Sequence, residues 1–152
     1  MGVSRTLTSG ETSMLRSVYG TGITYSSVRI HDTKWFIFQP DDTAMTPNGQ
    51  MYWPQAYYAA DFTTQSLSRR AWFVHEGAHL YQHYGLHWNV TLRGMVDRSY
   101  NYTLDPAKTR LRDYGLEEMG DIASDYYKLR SGGSISPRTY GLADYATLLP
   151  IP

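Results

Sequence analysis

Apolar residues recur at helical spacing in three segments of the chain, and each segment is followed by a glycine that can end a helix. The first segment predicts a helix over residues 9–19, which a capping-box pattern precedes. The second predicts a long helix that ends near Tyr84, and the third a helix whose apolar face runs from Leu116 to Tyr126. Residues 86–113 are predicted to be irregular or short strand. Three polar residues are candidates for the N-cap of the long helix: Asp61, Thr63 and Thr64.

Between the first two helices, short runs of β-branched and aromatic residues predict a small sheet. We expect a strand over Val28–His31 and a second candidate strand over Trp35–Phe38. Asn48-Gly49 indicates a tight turn, and Pro54 favours an edge position for the strand that follows the turn. The two arms of this turn are predicted at Thr43–Met45 and Gln50–Trp53. The pattern as a whole predicts an α+β fold, with the long helix packed beside a small sheet.

The length and composition fit a single globular domain over residues 1–152 with one substantial core. Lys plus Arg number 14 and Asp plus Glu number 14, and no basic run interrupts this balance, so the charge pattern does not favour a nucleic acid partner. The chain contains no cysteine, which excludes thiolate zinc sites, catalytic thiols and disulfides. No apolar run approaches the length needed to span a bilayer.

The long helix carries the pattern H-E-x-x-H, as His75-Glu76-Gly77-Ala78-His79. Residues i and i+4 lie on one face of a helix about one turn apart, so the two imidazoles can converge on one small cation. Glu76 points to the flank, where it can take the proton of a water that attacks a carbonyl. The apolar neighbours indicate a buried helix, in which His and Glu side chains without partners would be costly. The pattern therefore predicts a zinc site of the metallopeptidase type.

A metal site on one helix needs a further ligand from elsewhere in the chain. Glu117 and Asp121 of the third helix are spaced i, i+4, so Glu117 can bind the metal while Asp121 accepts an N–H from a histidine. Glu118 is the rival ligand, although it sits about 100° further round the helix. His83 lies about 12 Å along the axis from His75, too far for both to bind one zinc ion. We expect His83 to be an outer hydrogen-bond partner of a ligand or an ordinary polar residue.

Five segments of the chain resemble the zincin-type metallopeptidase domains that are attached to VgrG spike proteins of the bacterial type VI secretion system, and the stand-alone Vgr-related proteins. The more specific parts are TPNGQMYWP, ahead of the long helix, and YGLEE, at the start of the third helix. The other segments are LTSGETSMLRSVYG, VRIHDTKW and WFVHEGAHLYQH. The resemblance covers most of the chain and implies a zincin-like fold of the gluzincin type.

The resemblance also implies roles for individual residues. His75 and His79 would be zinc ligands, Glu117 the third ligand and Glu76 the general base. The helix of this family usually has Gln where this chain has Glu118, which leaves open which glutamate binds the metal. The resemblance further implies an antibacterial effector that is delivered by secretion and acts in the periplasm of a target bacterium, with a VgrG spike and an immunity protein as partners.

These observations support one hypothesis and one alternative. The hypothesis is a zinc metallopeptidase that hydrolyses a peptide bond in a protein or a peptidoglycan stem peptide. An edge strand near Gln50–Trp53 would line its cleft, and the candidates for a donor to the oxyanion are His83, Tyr126 and Arg98. The alternative is a non-catalytic module that binds the cell wall or a spike, with a structural metal or none. Catalytic zinc keeps an open coordination position, whereas structural zinc is closed by four protein ligands.

Overall fold

The computed structural model describes residues 2–152. Within this range the chain forms an α+β fold with one three-stranded sheet and five α-helices, which confirms the predicted α+β class. The strands and helices are, in chain order, β1 (Ser4–Thr6), α1 (Ser9–Tyr19), β2 (Arg29–His31), β3 (Met51–Tyr52), α2 (Leu67–Tyr84), α3 (Val90–Gly94), α4 (Leu116–Arg130) and α5 (Leu142–Tyr145).

The sheet is small, and its middle strand β2 agrees with the strand predicted over Val28–His31. β1 pairs antiparallel with β2, and β2 pairs parallel with β3. β1 has no counterpart in the sequence prediction because Ser4-Arg5-Thr6 lacks alternating apolar positions. The predicted hairpin is reduced to one antiparallel bridge between Met45 and Tyr52, and Asn48-Gly49 lies in the loop between them.

The strand predicted over Trp35–Phe38 is wrong, because these residues form an exposed turn. The side chain of Gln39 closes this turn. It accepts the N–H of Trp35 at 2.7 Å and donates to the carbonyl of Thr43 at 2.8 Å. β-branched and aromatic residues favour a strand only where neighbouring strands supply partners, and the segment forms no sheet pairing in the described chain.

The helices begin and end close to the predicted positions, with two corrections. α1 has the predicted capping box between Thr8 and Glu11. The N-cap of α2 is Ser66, whose hydroxyl accepts an N–H at 3.3 Å. The earlier candidates Asp61, Thr63 and Thr64 belong instead to a short 3₁₀ turn that Asp61 caps. Residues 86–113, predicted to be irregular or short strand, contain α3. Among residues 2–152, no helix is both long enough and apolar enough to cross a membrane.

α2 is packed on several sides, which fixes the residues that it carries. α1 approaches it closely at Gly77, where a Cβ would lie only 2.6 Å from the Cδ2 atom of Leu15. The Tyr19 hydroxyl of α1 donates to the Val74 carbonyl of α2 at 2.5 Å. α4 packs along another side of α2. The buried apolar residues of the helices and the sheet form one continuous core, so α2 and α4 are held in a fixed mutual position.

Candidate metal centre

Two histidines of α2 and one glutamate of α4 meet where these helices pack together. The Nε2 atom of His79 lies 2.9 Å from Oε1 of Glu117, and the Nε2 atom of His75 lies 3.1 Å from the same oxygen. The three candidate ligand atoms all lie within 4.8 Å of one another. Two imidazole nitrogens and one carboxylate oxygen form a donor set that suits zinc. Within residues 2–152, no fourth His, Asp or Glu side chain joins this group.

Each histidine is oriented by a hydrogen bond at its other ring nitrogen. The Nδ1 atom of His75 lies 3.0 Å from Oδ1 of Asp121, the contact expected from the i, i+4 spacing on α4. The Nδ1 atom of His79 lies 2.9 Å from Oε1 of Gln82. The amide nitrogen of Gln82 donates in turn to the Leu116 carbonyl at 2.8 Å, which ties this partner to the start of α4. Such outer partners fix the ring orientation and the tautomer of a ligating histidine.

The sequence did not predict Gln82 as a hydrogen-bond partner of His79. It did offer His83 as such an outer partner, but the structure does not bring His83 to the cluster. The His83 ring packs edge-on against Tyr84, with 4.7 Å between ring centroids, and it lies beside Gly49. Gln82 is fully buried and lies three residues after His79, which places both side chains on one helix face. The i, i+3 spacing from His79, together with the need of a buried amide for a hydrogen-bond partner, is the signal that could have identified it.

The two rival glutamates of α4 have different surroundings. Glu117 contacts both histidines. The Oε1 atom of Glu118 instead accepts the N–H of Gly115 at 2.8 Å, so this side chain caps the start of α4. Of the two, the structure brings Glu117 to the cluster.

α4 comes close to His75 because Gly120 has no side chain. A Cβ at Gly120 would lie 2.7 Å from Cε1, 2.7 Å from Nδ1 and 2.8 Å from Nε2 of the His75 ring. Glycine in a helix interior costs about 1 kcal/mol relative to alanine. The contact with the imidazole explains why a glycine stands at this position in α4. The sequence alone gave no indication of this role.

Glu76 is buried beside the cluster and is held by a residue from the loop that precedes β3. The hydroxyl of Thr46 donates to Oε1 of Glu76 at 2.8 Å. The other carboxylate oxygen, Oε2, lies 3.9 Å from Nε2 of His75. Burial raises the pKa of Glu76, and the neighbouring charges of His79 and His75 oppose this effect. One oxygen is therefore fixed, and the other is directed toward the cluster.

The hydrogen bonds between the histidines and the carboxylates of the cluster shift the pKa values of these residues. Burial lowers the pKa of His75, but the bonds to Asp121 and Glu117 outweigh burial and raise it to about 10. Burial also lowers the pKa of His79, and Glu117 again produces a net increase. For Glu117, burial raises the pKa, but the bonds to the two imidazoles hold it well below its usual value. A cation that binds here must therefore displace protons from the imidazoles.

The cluster borders a cleft of about 920 Å³. Residues 43–47 form one of its walls, in the position that was predicted for Gln50–Trp53. β3 pairs with β2 on one edge and with Met45 on the other, so the segment that contains Met45 lies next to the cleft instead.

Arg98 and Tyr100 are among the side chains with hydrogen-bond donors that line the cleft. The Tyr100 ring stacks on His75, with 6.3 Å between ring centroids. Arg98 was one of three predicted candidates for an oxyanion donor. The other two, His83 and Tyr126, do not line this cleft, and Tyr126 packs beneath the guanidinium of Arg130. Tyr100 was not predicted because it lies in a segment without regular periodicity.

Comparison with known proteins assigns the chain to a family. No protein-family model matches it. The solved effector domain of Pseudomonas aeruginosa VgrG2b has a TM-score of 0.79 and 34% sequence identity, over 96% of this chain and 84% of that domain. The chain is also 38% identical over 133 residues to the type VI secretion system spike protein VgrG2b of Pseudomonas aeruginosa. That match covers 81% of this chain and 13% of the spike protein, so the chain spans a small part of that protein. The chain belongs to the family of the VgrG2b effector domain.

Proposed function

We propose that this domain is a zincin-like, zinc-dependent metallopeptidase that hydrolyses a peptide bond. The convergence of His75, His79 and Glu117 at a cleft that also receives Glu76 carries the proposal. In the described part of the chain this group offers three protein donors, which leaves room for a substrate atom. A structural zinc site would be closed by four protein ligands, so the donor count favours catalysis.

The residues around the cluster have distinct roles in the proposed reaction. When bound, zinc supplies Lewis-acid polarisation of the carbonyl and makes a nearby water more acidic. Glu76 takes the proton from the attacking water and delivers it to the amine that leaves. The Thr46 hydroxyl keeps the Glu76 carboxylate in place throughout. Asp121 and Gln82 hold the two imidazoles in the orientation that ligation requires.

The segment 43–47 can bind the backbone of an extended substrate by strand addition. The N–H and C=O groups of Met45 both bond to Tyr52, at 3.0 and 2.8 Å. In an extended segment the groups of the flanking residues then point to the opposite edge. Within residues 2–152, no backbone hydrogen bond uses the amides or carbonyls of Ala44 and Thr46. These groups are available to pair with a peptide in the cleft.

We assign Tyr100 as the hydrogen-bond donor to the substrate carbonyl oxygen, on which negative charge develops during the reaction. Its ring lies over His75, next to the reacting position. Burial and the nearby carboxylate of Glu117 raise the pKa of Tyr100 to about 12. The phenol therefore stays protonated at neutral pH and can donate a hydrogen bond to an oxyanion. Arg98 adds a positive charge to the same cleft.

The family assignment supports a biological role as a type VI secretion effector. We place the domain on, or in association with, a VgrG spike, because a spike protein of that system contains a related domain. In this proposal the domain is delivered to a target bacterium, cleaves its substrate in the periplasm and acts as an antibacterial toxin. An immunity protein would protect the producing cell.

The metal content of the purified domain, measured by mass spectrometry, tests the ligand set. We expect about one zinc ion per chain, as for a single site, and a large loss of zinc in Glu117→Ala. Glu118→Ala is the matched control, because it removes the adjacent glutamate, which caps α4. Equal zinc affinity in Glu117→Ala and the native chain would show that the proposed ligand set is wrong.

Glu76→Gln separates catalysis from binding. The amide keeps the size of the side chain and an oxygen that can accept from Thr46, so zinc content should be unchanged. Hydrolysis should fall by about 10²–10⁴-fold, the range for loss of a general base. In the periplasm of a susceptible bacterium, the native domain should arrest growth and the variant should not. Toxicity that survives the substitution would favour the alternative, a non-catalytic module that binds the cell wall or the spike.

A further inference from the structure

The large apolar side chains that remain exposed are concentrated on two segments. The first rim, residues 35–38, and the second rim, residues 92–96, are rich in such side chains. The exposed fraction reaches 82% at Ile37, 81% at Phe38 and 88% at Val96. Elsewhere in residues 2–152 the exposed large apolar side chains are Val3, Tyr100 and Leu142. Such a concentration of apolar surface is typical of a binding site.

Both rims border the cleft that contains the candidate metal centre. Trp35 and Phe36 of the first rim line it, as does Met95 of the second rim. His75 and Glu117 line the same cleft. The exposed apolar surface therefore reaches the position of the proposed reaction through Trp35, Phe36 and Met95, whereas the other exposed apolar side chains of the rims lie outside the lining of the cleft.

The wall formed by residues 43–47 connects the two rims. At the start of the wall, Gln39 links the backbone of Trp35 in the first rim to the carbonyl of Thr43. At its end, the hydroxyl of Thr91 donates to the carbonyl of Pro47 at 2.9 Å, which attaches α3 and the second rim. Five residues of extended chain span about 13 Å. A peptide paired with this wall would have the two rims near its two ends.

Glu76, the proposed general base, lies beside the wall formed by residues 43–47 and not past either of its ends. Thr46, which belongs to the wall, holds Glu76 through its hydroxyl. A substrate bond that reaches Glu76 therefore has substrate residues on either side of it, and these residues extend toward the rims.

We propose that the substrate is a polypeptide segment bound in extended form, with large apolar side chains on both sides of the bond that is cleaved. This inference rests on the proposed metallopeptidase function. The unpaired backbone groups of Ala44 and Thr46 match a peptide backbone, which a lipid surface does not offer. The rims match large apolar side chains such as Leu, Phe and Met, which are stabilised when they are removed from water. Peptidoglycan stem peptides offer mainly alanine, glutamate and a diamino acid, so they leave both rims without an apolar partner.

The cleavage profile of the zinc-loaded native chain tests the proposal. A peptide library from a digested proteome is incubated with the protein, and the new termini are identified by mass spectrometry. We expect enrichment of large apolar residues on both sides of the cleaved bonds. Isolated muropeptides, incubated in parallel, should remain intact.

Variants of the rims connect the profile to the structure. Phe36→Ser and Met95→Ser should each raise KM for an apolar peptide about tenfold, the loss expected for part of one buried side chain, with little change in kcat. Leu142→Ser is the matched control, because Leu142 is 45% exposed and does not line the cleft. Circular dichroism verifies that each variant is folded.

The outcomes separate this inference from the proposed function. Cleavage next to small or charged residues, or of muropeptides alone, would overturn the inference and leave the metallopeptidase function standing. Unchanged KM in both rim variants would also overturn it. Loss of binding of these variants to vesicles of phosphatidylethanolamine and phosphatidylglycerol would then assign the rims to a membrane surface. Absence of any cleavage by the zinc-loaded chain would overturn the inference and the proposed function together.

Discussion

Gly120→Ala tests whether the close contact between α4 and His75 sets the affinity for the metal. The added methyl carbon would sit 2.7 Å from Cε1 and Nδ1 of His75, whereas carbon atoms in ordinary contact are about 3.5–4.0 Å apart. The ring must therefore move by roughly 1 Å. Such a movement stretches the 3.0 Å bond to Asp121 and the 3.1 Å contact with Glu117 beyond hydrogen-bond distance.

Two opposing effects on the free energy of unfolding keep this variant folded. Alanine in a helix interior is about 1 kcal/mol more favourable than glycine. Overpacking a well-packed site costs about 1–3 kcal/mol, so the net loss should be about 0–2 kcal/mol. The affinity for zinc should respond more strongly, because disturbing an outer partner of a ligand costs about 10–100-fold. A small loss of stability and a large loss of affinity are expected together.

Competition with a chromophoric chelator measures the zinc affinity, and urea unfolding in the presence of EDTA measures the stability without metal. Gly94→Ala is the matched control. A Cβ at Gly94 would meet the Cδ2 atom of Leu116 at 3.6 Å, an ordinary contact. If folded Gly120→Ala binds zinc as tightly as the native chain, the contact does not position His75 and the reasoning is refuted.

Four further predictions concern the candidate ligands and their surroundings. Gln82→Met keeps a similar side-chain volume but removes the hydrogen-bond partner of His79 Nδ1. In the same chelator competition, zinc affinity should fall about 10–100-fold. A zinc affinity equal to that of the native chain would show that this partner is dispensable. Thr46→Val removes the hydroxyl that holds Glu76 and should lower kcat about tenfold, the equivalent of one hydrogen bond, while mass spectrometry shows unchanged zinc; a native kcat would contradict this positioning role. Burial lowers the pKa of His75, but its two carboxylate partners raise it to about 10. Zinc affinity should therefore increase from about pH 6 to about pH 9, because the competing proton is lost from His75 over this range. A zinc affinity that does not change with pH would contradict this coupling. Without zinc, the raised pKa of His75 contributes to the free energy of unfolding. This contribution is fully present below about pH 6.5 and is lost as the pH rises toward about 10. The urea concentration at the midpoint of unfolding should therefore fall over that range.

The features that the sequence predicted are those that local spacing determines. A capping box, an i, i+4 pair of histidines and an i, i+4 pair of acidic residues each involve side chains within one or two helical turns. The structure places Glu117 and Asp121 beside His75, as the spacing on α4 indicated. It also distinguishes Glu117 from Glu118, which the sequence left open, because the orientation of α4 depends on its packing against α2.

The features that the sequence did not predict depend on contacts between distant segments. In the sequence, nothing distinguishes Gly120 from an ordinary helical glycine. In the structure, the His75 ring lies where a side chain of residue 120 would be. Thr46 lies thirty residues before Glu76, and no local pattern joins a loop to a helix at that distance. Trp35–Phe38 has the composition of a strand, but its backbone is directed into a turn by Gln39. For Gly120 and Thr46 the deciding partner lies outside the window in which periodicity operates. For Trp35–Phe38 the partner Gln39 is local, and what the segment lacks is a neighbouring strand.

In the proposed function, metal binding and substrate selection lie in different parts of the molecule. The side chain of Gln82 bonds both His79 and the Leu116 carbonyl, so the α2–α4 interface is at once part of the core and the support of the ligands. Under the proposed function we expect substitutions there to change stability and metal affinity together, because the same atoms would serve both. The rims have no comparable role in the core, since most of their apolar surface is exposed. If the rims bind substrate as proposed, substitutions in them should change which peptide is bound without disturbing the candidate metal centre. Such a separation would allow domains with the same candidate metal centre to differ in their substrates.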